Sequence, residues 1–160
     1  MADPNEIVAA IRCSPPEQVL PGEWTCIGGT VDPGSPNMCS PETKRIQLRG
    51  AVYKWTYTLA DVDSSRPDLF IGNQYTTSNA NYDANLQGHE WGTYVWRDPS
   101  GQLLWEGTFE TIAAGRHQAQ WSAVAHGIGA AAGLQWKGDG TFATGLPYGI
   151  FKLRVTGTPK

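Results

Sequence analysis

Apolar and polar side chains alternate with a period of two residues through much of segment 87–127, and this alternation limits the fold more than any other feature of the chain. In the middle of the segment, Trp105 and Phe109 have one parity, whereas Glu106 and Glu110 have the other. Such alternation is typical of β-strands that bury one face and expose the other. β-Branched and aromatic residues are frequent here, and the glycines would weaken a helix. The segment therefore predicts strands.

Short turn sequences divide this segment into three strands. Asp98-Pro99-Ser100-Gly101 combines residue types that favour tight turns, and Ala113-Ala114-Gly115 forms the second break. Strands joined so closely in sequence pair as antiparallel neighbours. We therefore expect a three-stranded meander over residues 87–96, 103–112 and 116–127.

Further extended segments flank the meander on both sides. They are residues 23–31, 44–59, 69–82 and 148–158, with a short strand at Leu134 and Trp136. We expect the strand at residues 44–59 to bend at Gly50, because glycine weakens a strand interior. Lys137-Gly138-Asp139-Gly140 has strong local turn signals. The total is about eight strands.

The length and composition indicate one all-β domain. A chain of 160 residues is expected to form a single domain, and its 19 glycines, 11 prolines and 7 tryptophans favour turns and strands over helices. The predicted fold is a single antiparallel up-and-down β-barrel of about eight strands, with a β-sandwich as the alternative. Residues 1–22 are interpreted as an N-terminal tail or lid, and residues 23–160 as the barrel domain.

The parity of the aromatic residues predicts which side chains face the barrel interior. This inward set is Tyr53, Trp55, Tyr57, His89, Trp91, Leu103, Trp105, Phe109, His117, Trp121 and Phe151. By the same parity, Trp96 faces outward. An eight-stranded barrel is just wide enough to hold one small ligand. The ligand-binding residues are therefore predicted to be Tyr53, Trp55, Tyr57, Trp91, Trp105, Phe109, His117 and Trp121, with a solid aromatic core as the alternative.

The charge distribution and the lack of a long apolar run argue against two classes of partner. The net charge is −3, and the twelve Lys and Arg residues are scattered singly, so the chain has no basic patch for nucleic acid. It also lacks a run of about 18 apolar residues that could span a membrane. The expected partner is a small-molecule ligand. The oligomeric state stays open, with a homo-oligomer as one option.

The three cysteines bear on the cellular location. Cys13, Cys26 and Cys39 lie in the first quarter of the chain, among proline-rich loops. One disulfide and one remaining thiol, or three free thiols, are both compatible with this cluster. The N-terminus lacks the basic start and apolar core of a signal peptide, so the protein is either cytoplasmic or begins after a removed signal. The cysteines favour an extracellular or periplasmic location.

Motifs for known catalytic chemistry are missing from the sequence. His89, His117 and His126 have no metal-ligand spacing, and the cysteines form no Cys-x-x-Cys pair. No Gly-x-Ser-x-Gly elbow supports a Ser-His-Asp triad. Glu106 and Glu110 lie on the polar face, where solvation explains them. The sequence predicts no metal and no cofactor, and it assigns no catalytic residue.

Three short motifs resemble a known family. They are Trp91-Gly92-Thr93, Trp105-Glu106-Gly107-Thr108-Phe109 and His126-Gly127-Ile128-Gly129 with Gly133-Leu134. They are similar to the strand–turn–strand signature of the allene oxide cyclase-like barrels, which are small lipocalin-like (calycin-type) barrels. That family occurs in bacteria as uncharacterised or secreted proteins and as cyclases of natural-product pathways. The resemblance covers roughly Lys44 to the C-terminus and implies the fold but no site residues, since Ala130-Ala131-Ala132 departs from the family pattern.

Three functional hypotheses follow. In the first, the barrel binds an apolar or polycyclic small molecule, oriented by polar groups such as Tyr53, Tyr57 and His117. In the second, the same cavity folds a reactive polyene or epoxide for cyclisation or isomerisation, without a metal. In the third, exposed Trp96 and the Asn79-Ala80-Asn81 region bind carbohydrate or another surface, and the interior is filled.

Overall fold

Antiparallel strands make up most of the computed structural model, which describes residues 7–12, 15–32, 35–114, 118–143 and 150–160. The strands are β1 (Ile7–Arg12), β2 (Glu17–Leu20), β3 (Glu23–Ile27), β4 (Val31–Asp32), β5 (Ser35–Cys39), β6 (Arg45–Tyr57), β7 (Val62–Asp63), β8 (Gly72–Asp83), β9 (Gln87–Arg97), β10 (Leu103–Ala114), β11 (Gln118–Gly127), β12 (Leu134–Ala143) and β13 (Ile150–Gly157). Short 3₁₀-helices occur at Leu59–Asp61, Pro67–Leu69 and Gly129–Ala131. The predicted all-β class is confirmed.

Eleven strands form one curled antiparallel sheet. Its order is β2-β6-β8-β9-β10-β11-β12-β13-β1-β7, with β3 also paired to β6, and β4 and β5 form a separate hairpin. From β8 to β13 the strands follow the chain order, so the predicted meander is part of a longer one. Within the described residues, no backbone pairing joins β2 to β7, and the sheet is a half-barrel. The predicted count of about eight strands is too low, because short strands were interpreted as loops or tail.

The described part of segment 1–22 belongs to the sheet. Strand β1 pairs with β13 along its whole length and with β7 at Ala10 and Ile11. Strand β2 pairs with β6. Ala9 and Ile11 are buried against the core, so β1 adds a wall to the half-barrel. Strands β1 and β2 of the segment interpreted as a tail or lid are therefore members of the large sheet.

A bulge at Gly50 bends strand β6, as the sequence predicts. Leu48 pairs with Ala80, but Ala51 pairs with Ser78, so β6 has an extra residue here. Gly50 has a positive φ of 72°, a conformation that glycine adopts without strain. The extra residue changes the parity of the strand, and Leu48 and Ala51 are both buried. After the bulge, the odd-numbered residues of β6 face the interior.

Aromatic residues close one end of the half-barrel. The segment after the 3₁₀-helix Pro67–Leu69 places Phe70 against Trp105, with ring centroids 5.8 Å apart in a stacked arrangement. The indole N–H of Trp105 donates a hydrogen bond to the Leu69 carbonyl at 2.6 Å. Phe70 also meets the edge of Trp96 at 5.9 Å. We call this cluster of Leu69, Phe70, Trp96 and Trp105 the aromatic plug.

A predicted turn is in fact the middle of strand β12. Residues 137–140 pair with β11 on one side, where Trp121 lies opposite Gly140. A Cβ atom at Gly138 would lie 3.1 Å from the Trp121 ring, and one at Gly140 would lie 2.9 Å from its Nε1. The two glycines therefore make room for the indole of the neighbouring strand. Their packing role overrides the local turn signal.

One disulfide is present in the described part of the chain. It joins Cys26 at the end of β3 to Cys39 at the end of β5. The β4–β5 hairpin, which is not part of the large sheet, is thereby held to β3. Cys13 lies outside the described residues. Over the described ranges, no helix has the length and apolar character needed to cross a membrane.

We expect Trp105→Ala to destabilise the protein strongly. The side chain is 0% exposed and contributes both packing and a hydrogen bond to the plug, so its loss should lower the free energy of unfolding by about 3–5 kcal/mol. Urea denaturation followed by circular dichroism measures this change. Ile112→Ala on the same strand is the control, because Ile112 is 61% exposed and its loss should cost under about 0.5 kcal/mol. Equal effects of the two substitutions would contradict the assignment of the plug.

Candidate functional site

A cavity of about 410 Å³ lies inside the half-barrel, beyond the aromatic plug. Strands β1, β6 and β8–β13 all contribute to its wall. The lining side chains are Ile11, Pro16, Tyr53, Trp55, Tyr57, Gln74, Thr76, Ser78, Glu90, Tyr94, Trp96, Phe109, Thr111, Ala119, Trp121, Ala123, Trp136 and Leu153. Several of them, including Trp55, Phe109 and Trp121, remain partly exposed to solvent. The cavity is therefore accessible rather than filled.

Aromatic rings form a large part of the wall, and some lie across glycines of a neighbouring strand. Phe109 on β10 lies opposite Gly92 on β9, where a Cβ atom would come within 2.9 Å of the ring. Tyr94 lies opposite Gly107, and its hydroxyl donates a hydrogen bond to the Val124 carbonyl at 2.8 Å. Because the glycines have no side chains, the rings lie close to the sheet. This arrangement leaves open volume at the centre.

The polar part of the wall comes mainly from alternate residues of β8. The Tyr57 hydroxyl donates a hydrogen bond to Gln74 Oε1 at 3.1 Å, and the Trp55 indole N–H donates one to Thr76 Oγ1 at 3.3 Å. Cross-strand bonds of this kind fix the orientation of the two rings on β6. The aromatic wall is thus held by polar side chains of the adjacent strand.

Among the described residues that line the cavity, Glu90 is the only one with a charged side chain. It lies on β9, opposite Ala80 of β8 and Thr111 of β10. Its carboxylate accepts a hydrogen bond from the Tyr82 hydroxyl at 2.9 Å and another from the Ser78 side chain. Burial raises the pKa of Glu90 above its ordinary value, although these two hydrogen bonds act in the opposite direction.

The Glu90 carboxylate also affects two tyrosines. Burial raises the pKa of Tyr53, and the nearby negative charge of Glu90 adds to this effect. Burial likewise raises the pKa of Tyr82, followed by the charge of Glu90 and the hydrogen bond to it. Both phenols therefore stay protonated at neutral pH and can donate hydrogen bonds. The site combines the Glu90 carboxyl group with the Tyr53 hydroxyl on the cavity wall and the Tyr82 hydroxyl bonded to Glu90.

Two buried indole groups on the wall have unused hydrogen-bonding capacity. Trp96 is 2% exposed and Trp136 is 3% exposed. In the described structure, their Nε1 atoms have no hydrogen-bond partner. Trp136 stacks on Tyr94 at 5.7 Å, and Trp96 packs on Tyr57 at 4.8 Å. Ring packing rather than hydrogen bonding therefore holds these two side chains.

The structure brings together five of the eight predicted ligand-binding residues. They are Tyr53, Trp55, Tyr57, Phe109 and Trp121, and all of them line the cavity. Trp105 faces inward as predicted but lies in the aromatic plug, where it is fully buried. His117 lies outside the described residues, as does the side chain of Phe151.

The predicted orientation of strand β9 is wrong. The strand was expected to turn His89 and Trp91 inward and Trp96 outward, but Glu90, Tyr94 and Trp96 line the cavity. A shift of one residue moves every side chain of a strand to the opposite face. Large residues occur on both parities of β9, so the alternation there is ambiguous. The inner glycine at position 92 accommodates Phe109, which explains why the bulky side chain of Trp91 faces outward.

Trp91 belongs instead to a polar surface on the outer face. His89 stacks on Trp91 at 5.1 Å, and the Arg49 guanidinium lies 5.2 Å from the Trp91 ring centroid. His89 also approaches the Glu110 carboxylate at 3.4 Å. The third hypothesis requires an exposed Trp96 and a filled interior, and both requirements conflict with the structure.

Sequence reasoning missed Glu90, Tyr94, Trp96 and Trp136 as wall residues. A signal for Glu90 exists in the sequence, since it shares its parity with Gly92, Tyr94 and Trp96. This shared parity identifies the inner face only if one knows that glycines in this sheet accommodate aromatic rings from adjacent strands.

Comparisons with known proteins and metal-site geometry do not narrow the function. No family model, curated protein or solved structure matches the chain. Among the residues that the structure describes, no group of three or more His, Cys, Asp or Glu side chains could hold a metal ion. The functional proposal therefore depends on the cavity itself.

We expect Glu90→Gln to change how stability depends on pH. The folded-state pKa of Glu90 is raised, so the folded protein binds this proton more tightly than the unfolded chain. The resulting contribution to stability is present below the ordinary value of 4.5 and is lost as the pH rises through the folded pKa. The wild type should therefore lose stability relative to the variant as the pH rises above about 4.5 towards neutrality.

Urea denaturation of both proteins across this pH range measures the difference. Glu110→Gln is the matched control, because that glutamate is exposed on the outer face. A wild type that gains stability relative to Glu90→Gln as the pH rises would show that the carboxylate is stabilised in the fold.

Proposed function

We propose that the protein binds a small, largely apolar aromatic or polycyclic molecule inside the half-barrel. The observation that carries this proposal is the aromatic-lined cavity of about 410 Å³, which lies in the size range of small-molecule sites. The aromatic plug closes one end, while part of the wall stays accessible. A solid aromatic core, the alternative from the sequence, would leave no such volume.

The composition of the wall supports an apolar ligand with one polar end. Rings of Trp55, Phe109 and Trp121 offer flat apolar surfaces on which an aromatic ligand can stack. Polar groups are few and lie mainly on β8 and β9, where Thr76, Ser78 and Glu90 contribute. A ligand would gain affinity from the rings and orientation from these groups.

We expect Ala119→Phe to weaken ligand binding at least about tenfold, because the added ring would occupy cavity volume. Gln120→Phe is the matched control, since the next residue of β11 is exposed on the outer face. Quenching of tryptophan fluorescence by a panel of bicyclic and tricyclic aromatic compounds measures the affinity. If quenching saturates for none of these compounds with the wild type, the proposal fails.

A second candidate is a cyclase or isomerase that uses the same cavity, and Glu90 favours it. A carboxyl group with a raised pKa beside protonated tyrosines can transfer a proton to or from a bound substrate. Under this proposal the rings would hold a reactive polyene or epoxide in a productive conformation.

The second candidate predicts a stereochemical outcome. Incubation with a reactive unsaturated epoxide should give one enantiomer of a cyclised product, as measured by chiral chromatography. Glu90→Gln should lower the rate about 10²-fold or more if the carboxyl group acts as an acid or base. Racemic product at the spontaneous rate would exclude this function and leave the binding proposal standing.

We further propose that the protein works in an extracellular or periplasmic compartment. The Cys26–Cys39 disulfide supports this location, because such bonds persist mainly in oxidising compartments. The bridge holds a hairpin outside the main sheet, so the cavity wall does not itself depend on it.

A further inference from the structure

The distribution of charge inside the cavity is one-sided. Glu90 lines the cavity, whereas no Lys, Arg or His side chain of the described residues does. Arg49 of β6 donates hydrogen bonds to the Leu48 and Ala80 carbonyls and to Asn81, and it lies over Trp91 on the outer face. Among the described residues that line the cavity, the Glu90 carboxyl group therefore has no cationic partner.

We propose that the ligand of this cavity is an organic cation, an aromatic or polycyclic amine whose ammonium group pairs with the Glu90 carboxylate. This inference depends on the proposed binding function and names the chemical class of the ligand. It does not depend on the cyclase alternative.

The hydrogen bonding of Glu90 leaves capacity for such a ligand. The carboxylate accepts bonds from Tyr82 and Ser78, and an ionised carboxylate offers about four acceptor positions. The remaining positions are available to ammonium N–H donors. Tyr82 and Ser78 hold the carboxylate in place, so little ordering is needed when the ligand binds.

The aromatic wall suits the same cation. The face of an aromatic ring attracts a positive charge through its quadrupole, most strongly in tryptophan. Tyr53 lies close enough to Glu90 for the two groups to interact electrostatically, and Trp55 and Trp121 belong to the same wall. A ligand with an apolar ring system and an ammonium group would therefore meet favourable surfaces at both parts.

Electrostatics favour a cation over a neutral or anionic ligand. A carboxylate placed in a partly desolvated cavity is costly unless an opposite charge compensates it. The raised pKa of Glu90 is the sign of this cost. A bound ammonium group would remove it, whereas a bound carboxylate would add a repulsive charge next to Glu90.

Three ligands of the same shape test the proposal. They are 1-naphthylmethylammonium, the neutral 1-naphthylmethanol and the anionic 1-naphthoate, titrated into the wild-type protein by isothermal titration calorimetry at pH 8. We expect the ammonium compound to bind about tenfold or more tightly than the alcohol, and the carboxylate to bind weakest. This ranking tests the inference in the wild type, without any substitution.

Two variants then test whether the preference for the ammonium compound depends on Glu90. Glu90→Gln should remove the advantage of the ammonium compound, so that the ammonium compound and the alcohol bind the variant with equal affinity. Glu110→Gln, on the outer face, should leave the ranking unchanged.

The outcomes separate the two proposals. If all three compounds bind with equal affinity, or if the ammonium compound keeps its advantage in Glu90→Gln, the inference is wrong while the cavity is still a binding site. If none of the compounds binds and the aromatic panel also fails to quench, both the inference and the binding function are wrong.

Discussion

The packing of aromatic rings across glycines of the neighbouring strand is the constraint on which the structure depends. Phe109 lies across Gly92, Tyr94 across Gly107, and Trp121 across Gly138 and Gly140. A side chain at any of these glycines would collide with the ring or with the adjacent backbone. Because the rings lie close to the sheet, the interior has an aromatic lining without being filled. The cavity and the orientation of the strands therefore have the same cause.

The sequence predicts the fold wherever the large residues of a strand share one parity. Strand β6 after Gly50 has Tyr53, Trp55 and Tyr57 on one face, and the predicted orientation is correct. Strand β9 has bulky residues on both faces, so periodicity alone cannot decide between them. Its glycines carry the missing information, but only once the neighbouring strand and register are known. Sheet register is a tertiary property, which explains why periodicity misassigned the faces of this strand.

Other features depend on contacts that are distant in sequence. Trp105 was correctly expected inside, yet its position in the aromatic plug depends on Leu69 and Phe70, which were expected to belong to a strand over residues 69–82. Glu90 was not recognised, because His89 was expected to face inward and neighbouring residues of a strand point to opposite faces. Its hydrogen bonds come from Tyr82 and Ser78 on another strand.

The pairing of β1 with β13 has a consequence for how the protein folds. The two strands lie near opposite ends of the chain, yet Ile7 is opposite Val155 and Arg12 is opposite Ile150. The hairpins of the meander close over short loops, whereas this seam requires almost the entire chain to be brought together, at a higher entropic cost. Ile11 of β1 and Leu153 of β13 both border the cavity. The wall of the cavity is therefore complete only once these two strands, which are far apart in sequence, have paired.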